Sequence, residues 1–288
     1  DLSEVNALAY LLKYDTVMGN FEGEVKIKDG KLFSPNQEVK ISSEPDPSKL
    51  PWKENKIDIV IESTGIFRTK KQIQKHLDAG AKKVILTVPA KDEIDYTVVL
   101  GVNEAGINSN HNIISNASCT TNCLAPMAKI IHENFKIVKG VINTIHAYTN
   151  DQRLADVPHK DLRRSRAAAE NIIPTSTGAA RAVGKVLPEL EGKLDGIACR
   201  VPVPDGSAVD LFVEVEKQLN IEELNEIIKS KSQTERLKNI LEYSKSPIVS
   251  TDIIGNSQSS IYDPSGTNVI NGKYLRTLNW YDNEWGYS

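Results

Sequence analysis

The stretch "NASCTTNC" at residues 116–123 places Cys119 among small hydroxyl and amide side chains. The run "NIISNAS" before it predicts a strand, and apolar residues recur at helical spacing from Cys123 onward. Ser118 is a good N-cap, so we expect Cys119 in the first turn of this helix. There the helix dipole favours a thiolate, and free backbone N–H groups can bind an oxyanion. From this stretch alone, a reactive nucleophile and a packed cysteine are equally good interpretations.

The cysteine content limits the other kinds of site. The chain has three cysteines, Cys119, Cys123 and Cys199. An odd and sparse set argues against a disulfide framework and favours a reducing compartment, so we expect a cytoplasmic protein. A single C-x3-C pair with few histidines is a poor zinc site, and we expect no metal.

A nucleophilic cysteine needs a base, and the chain offers five histidines. His146 ends the strand-like run "GVINTIHAYT", from which it can reach a helix N-terminus, although a lone strand histidine is often structural. His76 and His132 lie in polar helical stretches, which favours solvated helix faces. The other two, His111 and His159, lie in a turn and in a long loop. We therefore take His146 as the best candidate base.

Length and patterning predict an α/β protein with two domains, because 288 residues are too many for one typical domain. In the first half, short β-branched runs alternate with helical segments, which is typical of a parallel sheet covered on both faces. These runs are residues 56–64, 82–90, 96–103 and 112–118. The net charge of −3 and the lack of an apolar run near 20 residues (about one membrane span) predict neither nucleic acid nor membrane as a partner.

The second half has longer strands and few helices. This pattern predicts an antiparallel sheet packed on helices, and the change of domain is expected near residue 118. The predicted strands are residues 139–149, 195–204, 208–217, 247–254, 259–263 and 274–282. One amphipathic helix is predicted over residues 221–232.

Several motifs in a fixed order resemble a known family. "SNASCTTNCLAP", "HAYTNDQ", "DLRRSRAAAENIIPTSTGAA", "CRVPVP", "VSTDIIG" and "WYDNEWGYS" are closely similar to the phosphorylating glyceraldehyde-3-phosphate dehydrogenases. The resemblance covers residues 1–288 and implies a Rossmann-type parallel-sheet domain, truncated here, plus an α+β catalytic domain. No G-x-G turn occurs, so both ends are interpreted as cut. The implied boundaries are 1–118, with 284–288, for the partial NAD-binding domain and 119–283 for the catalytic domain.

The resemblance also implies the reaction. The Cys119 thiolate would attack the aldehyde carbon of D-glyceraldehyde 3-phosphate, and His146 would take the hydroxyl proton as hydride leaves for NAD. Inorganic phosphate would then cleave the thioester to give 1,3-bisphosphoglycerate, a step of glycolysis. The family further implies a homotetramer.

Binding residues are carried over by motif. The substrate phosphate is expected at Thr149, Arg200 and one arginine of "LRRSR", for which Arg164 is chosen while Arg163 and Arg166 stay open. The attacking phosphate is expected at Ser118, Thr120, Thr177 and Gly178. The expected NAD contacts are Asp1 for the ribose hydroxyls, Thr87 for the cleft wall and Asn283 for the carboxamide.

Two alternatives accompany this interpretation. An erythrose-4-phosphate dehydrogenase shares the fold, the Cys–His pair and the cofactor, and differs in releasing the acid with water. A non-catalytic fragment or binding paralogue is the other, because the pyrophosphate-binding turn does not occur in the chain.

Overall fold

The computed structural model describes residues 1–288 as an α/β protein that divides into two compact units. The first unit comprises residues 1–86, 90–95 and 110–114, and the second comprises residues 87–89, 96–109 and 115–288. No helix has the length and apolar character needed to cross a membrane.

The first part of the chain forms short elements. The helices are α1 (Val5–Lys13) and α2 (Lys70–Asp78). The strands are β1 (Tyr14–Asp15), β2 (Gly19–Asn20), β3 (Lys26–Lys28), β4 (Lys31–Ser34), β5 (Gln37–Val39), β6 (Ile59–Glu62), β7 (Lys83–Leu86), β8 (Tyr96–Thr97) and β9 (Ile113–Ser115). Only β8 remains of the strand predicted over 96–103, because the chain turns away after Thr97.

The predicted parallel sheet is present, in the order β6-β7-β9-β8. Strands β6 and β7 pair in parallel, with Glu62 opposite Leu86 at their carboxyl ends. Helix α2 begins at a capping box in which the Thr69 hydroxyl accepts from the Gln72 N–H and the Gln72 side chain accepts from the Thr69 N–H. Its inner face buries Ile73 and His76. The prediction that His76 lies on a solvated helix face is therefore wrong.

The second unit is built on a seven-stranded sheet, in the order β11-β12-β10-β13-β16-β15-β14. Its strands are β10 (Ile137–Ala147), β11 (Ile173–Ser176), β12 (Leu194–Val201), β13 (Ser207–Val215), β14 (Leu241–Tyr243), β15 (Ser260–Ile270) and β16 (Tyr274–Tyr281). The pairs β10–β12 and β14–β15 are parallel and the other four are antiparallel. The mostly antiparallel sheet is thus as predicted. Residues 247–254 form no strand, because Ser250–Ile253 coil into a 3-10 helix.

Three helices belong to this unit, α3 (Cys119–Phe135), α4 (Ala179–Val186) and α5 (Ile221–Ser232). Helix α3 is buried along most of its length, and its Leu124, Met127 and Ile131 join the core with side chains of β10, β13 and β16. Truncating one such side chain to alanine costs about 2–5 kcal/mol of stability. The start of α3 is therefore held in place by a hydrophobic core that it shares with the seven-stranded sheet.

Candidate active site

Helix α3 begins at Cys119, so the backbone N–H groups of its first turn lie beside a thiol. Ser118 caps the helix, because its Oγ accepts from the N–H of Thr121 at 3.1 Å. Ala117 has a φ of +56°, so the chain turns sharply between β9 and the helix. Asn122 closes the turn by donating to the carbonyl groups of Asn116 and Ser118. The prediction that Cys119 lies in the first turn is confirmed.

Cys119 and His146 are hydrogen-bond partners. The distance from Cys119 Sγ to His146 Nε2 is 3.4 Å, which joins the helix start to the end of β10. Tyr281 packs edge-on against the imidazole with ring centroids 5.9 Å apart. Its hydroxyl bonds to Thr120 Oγ1 at 2.8 Å and to Thr144 Oγ1 at 2.9 Å. These buried hydroxyl contacts tie β10 and β16 to the helix start.

The other imidazole nitrogen has two neighbours that require opposite tautomers. His146 Nδ1 lies 2.7 Å from the Ala147 carbonyl oxygen, to which it can only donate. It also lies 2.6 Å from Arg200 Nη1, which can only donate to it. Arg200 Nη1 donates to the same Ala147 carbonyl at 2.9 Å. Because both groups can bind that oxygen, Nδ1 can keep a proton and leave Nε2 unprotonated to accept one from Cys119.

Burial decides the resting charges of the pair. Burial raises the pKa of the Cys119 thiol, against the smaller opposing effects of the Thr120 N–H and the Arg200 charge. Burial and the charge of Arg200 lower the pKa of His146 to about 4. The predicted lowering of the thiol pKa by the helix dipole left out this desolvation. Both shifts favour the uncharged form of each group, and a thiolate forms when the Cys119 proton passes to Nε2.

Two arginines near the pair interact with Asp151: Arg200 contacts His146, and Arg164 forms an ion pair with Asp151. The Asp151 carboxylate accepts from the hydroxyl of Thr149 and binds Nη1 of Arg164. Burial alone would raise the pKa of Asp151, but Thr149, Arg164 and Arg200 together hold it below its usual value. Buried Arg200 Nε has no hydrogen-bond partner. The structure thus gathers Thr149, Arg164 and Arg200 around one anionic group.

Thr177 and Gly178 lie where α4 begins. Gly178 is the N-cap residue of α4, and Thr177 Oγ1 accepts from the N–H of Ala179 at 3.2 Å. A Cβ at Gly178 would meet no atom within 4 Å. These residues and the start of α3 are two helix N-termini in the same unit, and both favour an anion.

Asn283 follows β16 and is anchored by Ser207. The Ser207 hydroxyl donates to Asn283 Oδ1 at 2.6 Å and accepts from the N–H of Ala147 at 3.1 Å. The buried Nδ2 of Asn283 has no hydrogen-bond partner. An unpaired buried donor is costly, and it suits a ligand that brings a carbonyl acceptor.

Comparisons with known proteins agree with this geometry. The family model described as "Glyceraldehyde 3-phosphate dehydrogenase, C-terminal domain" matches residues 118–283, and the NAD-binding domain model of the same family matches residues 1–70. A glyceraldehyde-3-phosphate dehydrogenase of Streptomyces coelicolor is 55% identical over the whole chain and 86% of its own length. Those of Borreliella burgdorferi and Thermotoga maritima are each 56% identical over the whole chain, with 88% and 86% of their lengths covered.

The chain belongs to the glyceraldehyde-3-phosphate dehydrogenase family. The predicted family, the α/β fold, the class of NAD-dependent dehydrogenase and NAD as cofactor are thereby confirmed. The erythrose-4-phosphate alternative is not favoured, since these relatives carry the glyceraldehyde-3-phosphate name.

The two remaining cofactor candidates, Asp1 and Thr87, are distant in sequence from Cys119 and His146. Asp1 lies in the first unit, where its exposed carboxylate accepts from the N–H of Ser3 at 2.9 Å. Thr87 directly follows Leu86 at the carboxyl end of β7, the end at which ligands of such sheets bind. Sequence reasoning missed Asp151, Ser207 and Tyr281, because their roles depend on strand ends that meet only in the folded chain.

Proposed function

We propose that this chain oxidises D-glyceraldehyde 3-phosphate to 1,3-bisphosphoglycerate with NAD and inorganic phosphate, and that Cys119 and His146 carry the chemistry. The observation that supports this most directly is the 3.4 Å contact between the thiol and Nε2 at the first turn of α3. A thiol packed only for its volume would not need a buried base and a helix N-terminus.

The residues act in sequence around the aldehyde carbon. Cys119 passes its proton to His146 as Sγ attacks the carbonyl, and the first-turn amides of α3 bind the oxygen that becomes negative. His146 returns this proton to the oxyanion, which gives the hydroxyl of the hemithioacetal, and takes it back from that hydroxyl when the hydride leaves. NAD, when bound, accepts that hydride. Phosphate attacks the thioester, and Cys119 leaves as the thiolate.

Asp151 occupies the region in which the substrate's phosphate would bind. Its carboxylate already binds Thr149 and Arg164 and interacts electrostatically with Arg200. A phosphate dianion offers more acceptor oxygens to the same donors and would displace it. Arg164 is therefore preferred to Arg163 and Arg166, because it is the arginine of the three that shares this anion.

The attacking phosphate would bind at the starts of α3 and α4, through Ser118, Thr120, Thr177 and Gly178. Thr120 Oγ1 is occupied by Tyr281, so we assign Thr120 a contribution through its backbone N–H. The other three present a hydroxyl or an amide at a helix start.

A homotetramer and a cytoplasmic location complete the proposal. Apolar side chains are exposed on one face of the seven-stranded sheet. Val141 of β10 lies opposite Phe212 of β13, and these residues are 57% and 44% exposed. On the neighbouring strand β16, Arg276 binds Asp210 of β13, and its guanidinium carbon lies 5.6 Å from the centroid of the Phe212 ring. An exposed apolar patch of this kind suits a second copy of the chain.

The function is tested with the complete purified protein. NADH formation from glyceraldehyde 3-phosphate should require inorganic phosphate and yield an acyl phosphate, and erythrose 4-phosphate should be oxidised far more slowly. Iodoacetate should label Cys119 much faster than buried Cys123, with Cys123→Ala as the active control. Phosphate-independent release of the free acid, or equal labelling of both thiols, would contradict the proposal.

A further inference from the structure

A buried carboxylate holds the exposed turn that follows β6. Glu62 is the last residue of β6 and is 3% exposed, whereas residues 63–66 are exposed. Glu62 Oε1 accepts from the N–H of Thr64 at 2.8 Å and from its hydroxyl, and the N–H of Ile66 donates to Thr64 Oγ1 at 3.2 Å. Gly65 has a φ of +70°, which glycine adopts without strain. One carboxylate oxygen thus sets the shape of this turn.

The other oxygen of the same carboxylate is oriented from α2. His76 Nε2 lies 2.9 Å from Glu62 Oε2, and the indole N–H of Trp52 donates to His76 Nδ1 at 3.1 Å. An indole N–H can only donate, so Nδ1 accepts and the imidazole proton lies on Nε2. The relay therefore has one direction, from Trp52 through His76 to Glu62.

This direction requires an acceptor at both oxygens of residue 62. Burial by itself would raise the pKa of Glu62. The hydrogen bonds from His76 and Thr64 together lower that pKa by more than burial raises it, so the carboxyl group is ionised at neutral pH. A glutamine would offer one acceptor and one donor. Its amino group would face either His76 Nε2–H or the Thr64 donors, and either arrangement sets two donors against each other.

We propose that Glu62, oriented by His76 and Trp52, is a positioning residue for NAD that holds the turn 63–66 in its binding shape. The turn lies at the carboxyl end of a parallel strand, where ligands of such sheets bind, and within residues 1–70 that match the family's NAD-binding domain. A Cβ at Gly65 would meet no atom within 4 Å, and Ile66 is 66% exposed. An open turn with the exposed hydroxyl of Ser63 and an exposed apolar side chain suits the sugar and phosphate part of a dinucleotide.

The test compares Glu62→Gln with Asp95→Asn in the complete protein. Asp95 is a matched control in the same unit, because its carboxylate also binds backbone, through the N–H groups of Asn112 and Ile113, and also has a side-chain partner, Lys70. Calorimetric titration gives the Kd for NAD, steady-state rates give KM for each substrate, and thermal unfolding gives Tm. Glu62→Gln should raise the Kd for NAD by about tenfold and leave KM for the phosphorylated sugar unchanged, from the cost of a buried donor pair.

Asp95→Asn should lower Tm without changing the Kd for NAD. If Glu62→Gln lowers Tm to the same extent and its Kd for NAD equals that of the wild type, the relay serves only stability and the proposal is wrong. Should Glu62→Gln fail to fold, Trp52→Phe removes just the indole donor and lets the imidazole change tautomer. It should weaken NAD binding by about threefold, and an unchanged Kd would equally overturn the proposal. Titration of the wild type checks NAD binding itself, on which the inference rests.

Discussion

His146 and His76 are equally buried, each 4% exposed, and they differ in their hydrogen-bond partners. His146 faces a thiol at Nε2 and has a guanidinium and a carbonyl at Nδ1. His76 faces a carboxylate at Nε2 and an indole N–H at Nδ1. The first imidazole can change its proton position, whereas both nitrogens of the second are committed.

Burial alone therefore does not distinguish a catalytic histidine from a structural one. A base must have one nitrogen that can gain a proton during the reaction, and its partner must be able to lose one. Cys119 is such a partner for His146. Glu62 only accepts, so His76 fits a role in orientation.

Without the thiol, His146 has no proton donor at Nε2 and should no longer support catalysis. Cys119→Ala should lower the rate of NADH formation by on the order of 10⁴-fold or more, the scale seen when a nucleophile is deleted. Single-turnover absorbance of NADH measures it, with Cys123→Ala as the control. Residual activity above one per cent of the wild type would contradict a covalent mechanism.

The two histidines should respond differently to the same substitution. His146→Asn should slow hydride transfer by about 10²–10⁴-fold, the contribution of a positioned acid–base group. His76→Asn should lower Tm and weaken NAD binding while the hydride-transfer step at saturating NAD stays within a few-fold of the wild type. Stopped-flow measurement of both variants makes the comparison, and equal losses in that step would remove the distinction.

The guanidinium beside His146 has no counterpart at His76. Arg200→Leu should raise KM for glyceraldehyde 3-phosphate by roughly 10–100-fold, since a charge-assisted hydrogen bond to phosphate is lost. KM for NAD should change much less. The variants Arg163→Leu and Arg164→Leu extend the comparison. Arg163→Leu should alter neither constant, and a larger effect of Arg163→Leu than of Arg164→Leu would reassign the phosphate-binding arginine.

The smallest expected effect concerns stability at acid pH. The pKa of His146 is about 4 in the folded chain against an ordinary 6.5. Between these values the unfolded state binds a proton that the folded state does not, so His146 makes stability rise as pH increases from about 4 to 6.5. His146→Asn should flatten the curve of Tm against pH in that window. An unchanged slope would mean that His146 is protonated in the folded chain.

Much of the catalytic unit could be predicted because its signals are local. Ser118 as a cap, the helical spacing after Cys119 and the long apolar strands are properties of neighbouring residues, and the structure has these elements. Helix α5 was predicted with the bounds it has in the structure. The strand-end position of His146 made it the best candidate base, but the choice of Cys119 and His146 as a pair needed the resemblance, because nothing local brings residues 27 positions apart together.

The errors have two physical causes. His76 lies in a polar sequence, yet Glu62 and Trp52 come from other elements to meet it, and no helical periodicity contains them. The thiol pKa was predicted to be lowered by the helix dipole and by the histidine partner, whereas burial has the larger effect and raises it. Residues 247–254 were assigned a strand from β-branched content, although Asp252 accepts from the N–H of Val249 and closes a helical turn. The first two errors come from tertiary contacts that override a local preference, and the third comes from a local side-chain contact that a count of β-branched residues does not include.

The hydrogen bond from the Ala147 N–H to Ser207 allows the site to be followed by hydrogen exchange. The buried Ser207 hydroxyl holds the N–H of Ala147, next to His146, and the carboxamide of Asn283. That amide proton can exchange with solvent only when the end of β10 separates from Ser207. A ligand that binds Asn283 would slow such opening by mass action, so the deuterium uptake of one backbone position would report cofactor occupancy. The exchange rate of the Ala147 amide would thus measure how often the end of β10 opens, and therefore how large a fraction of the molecules has His146 in position.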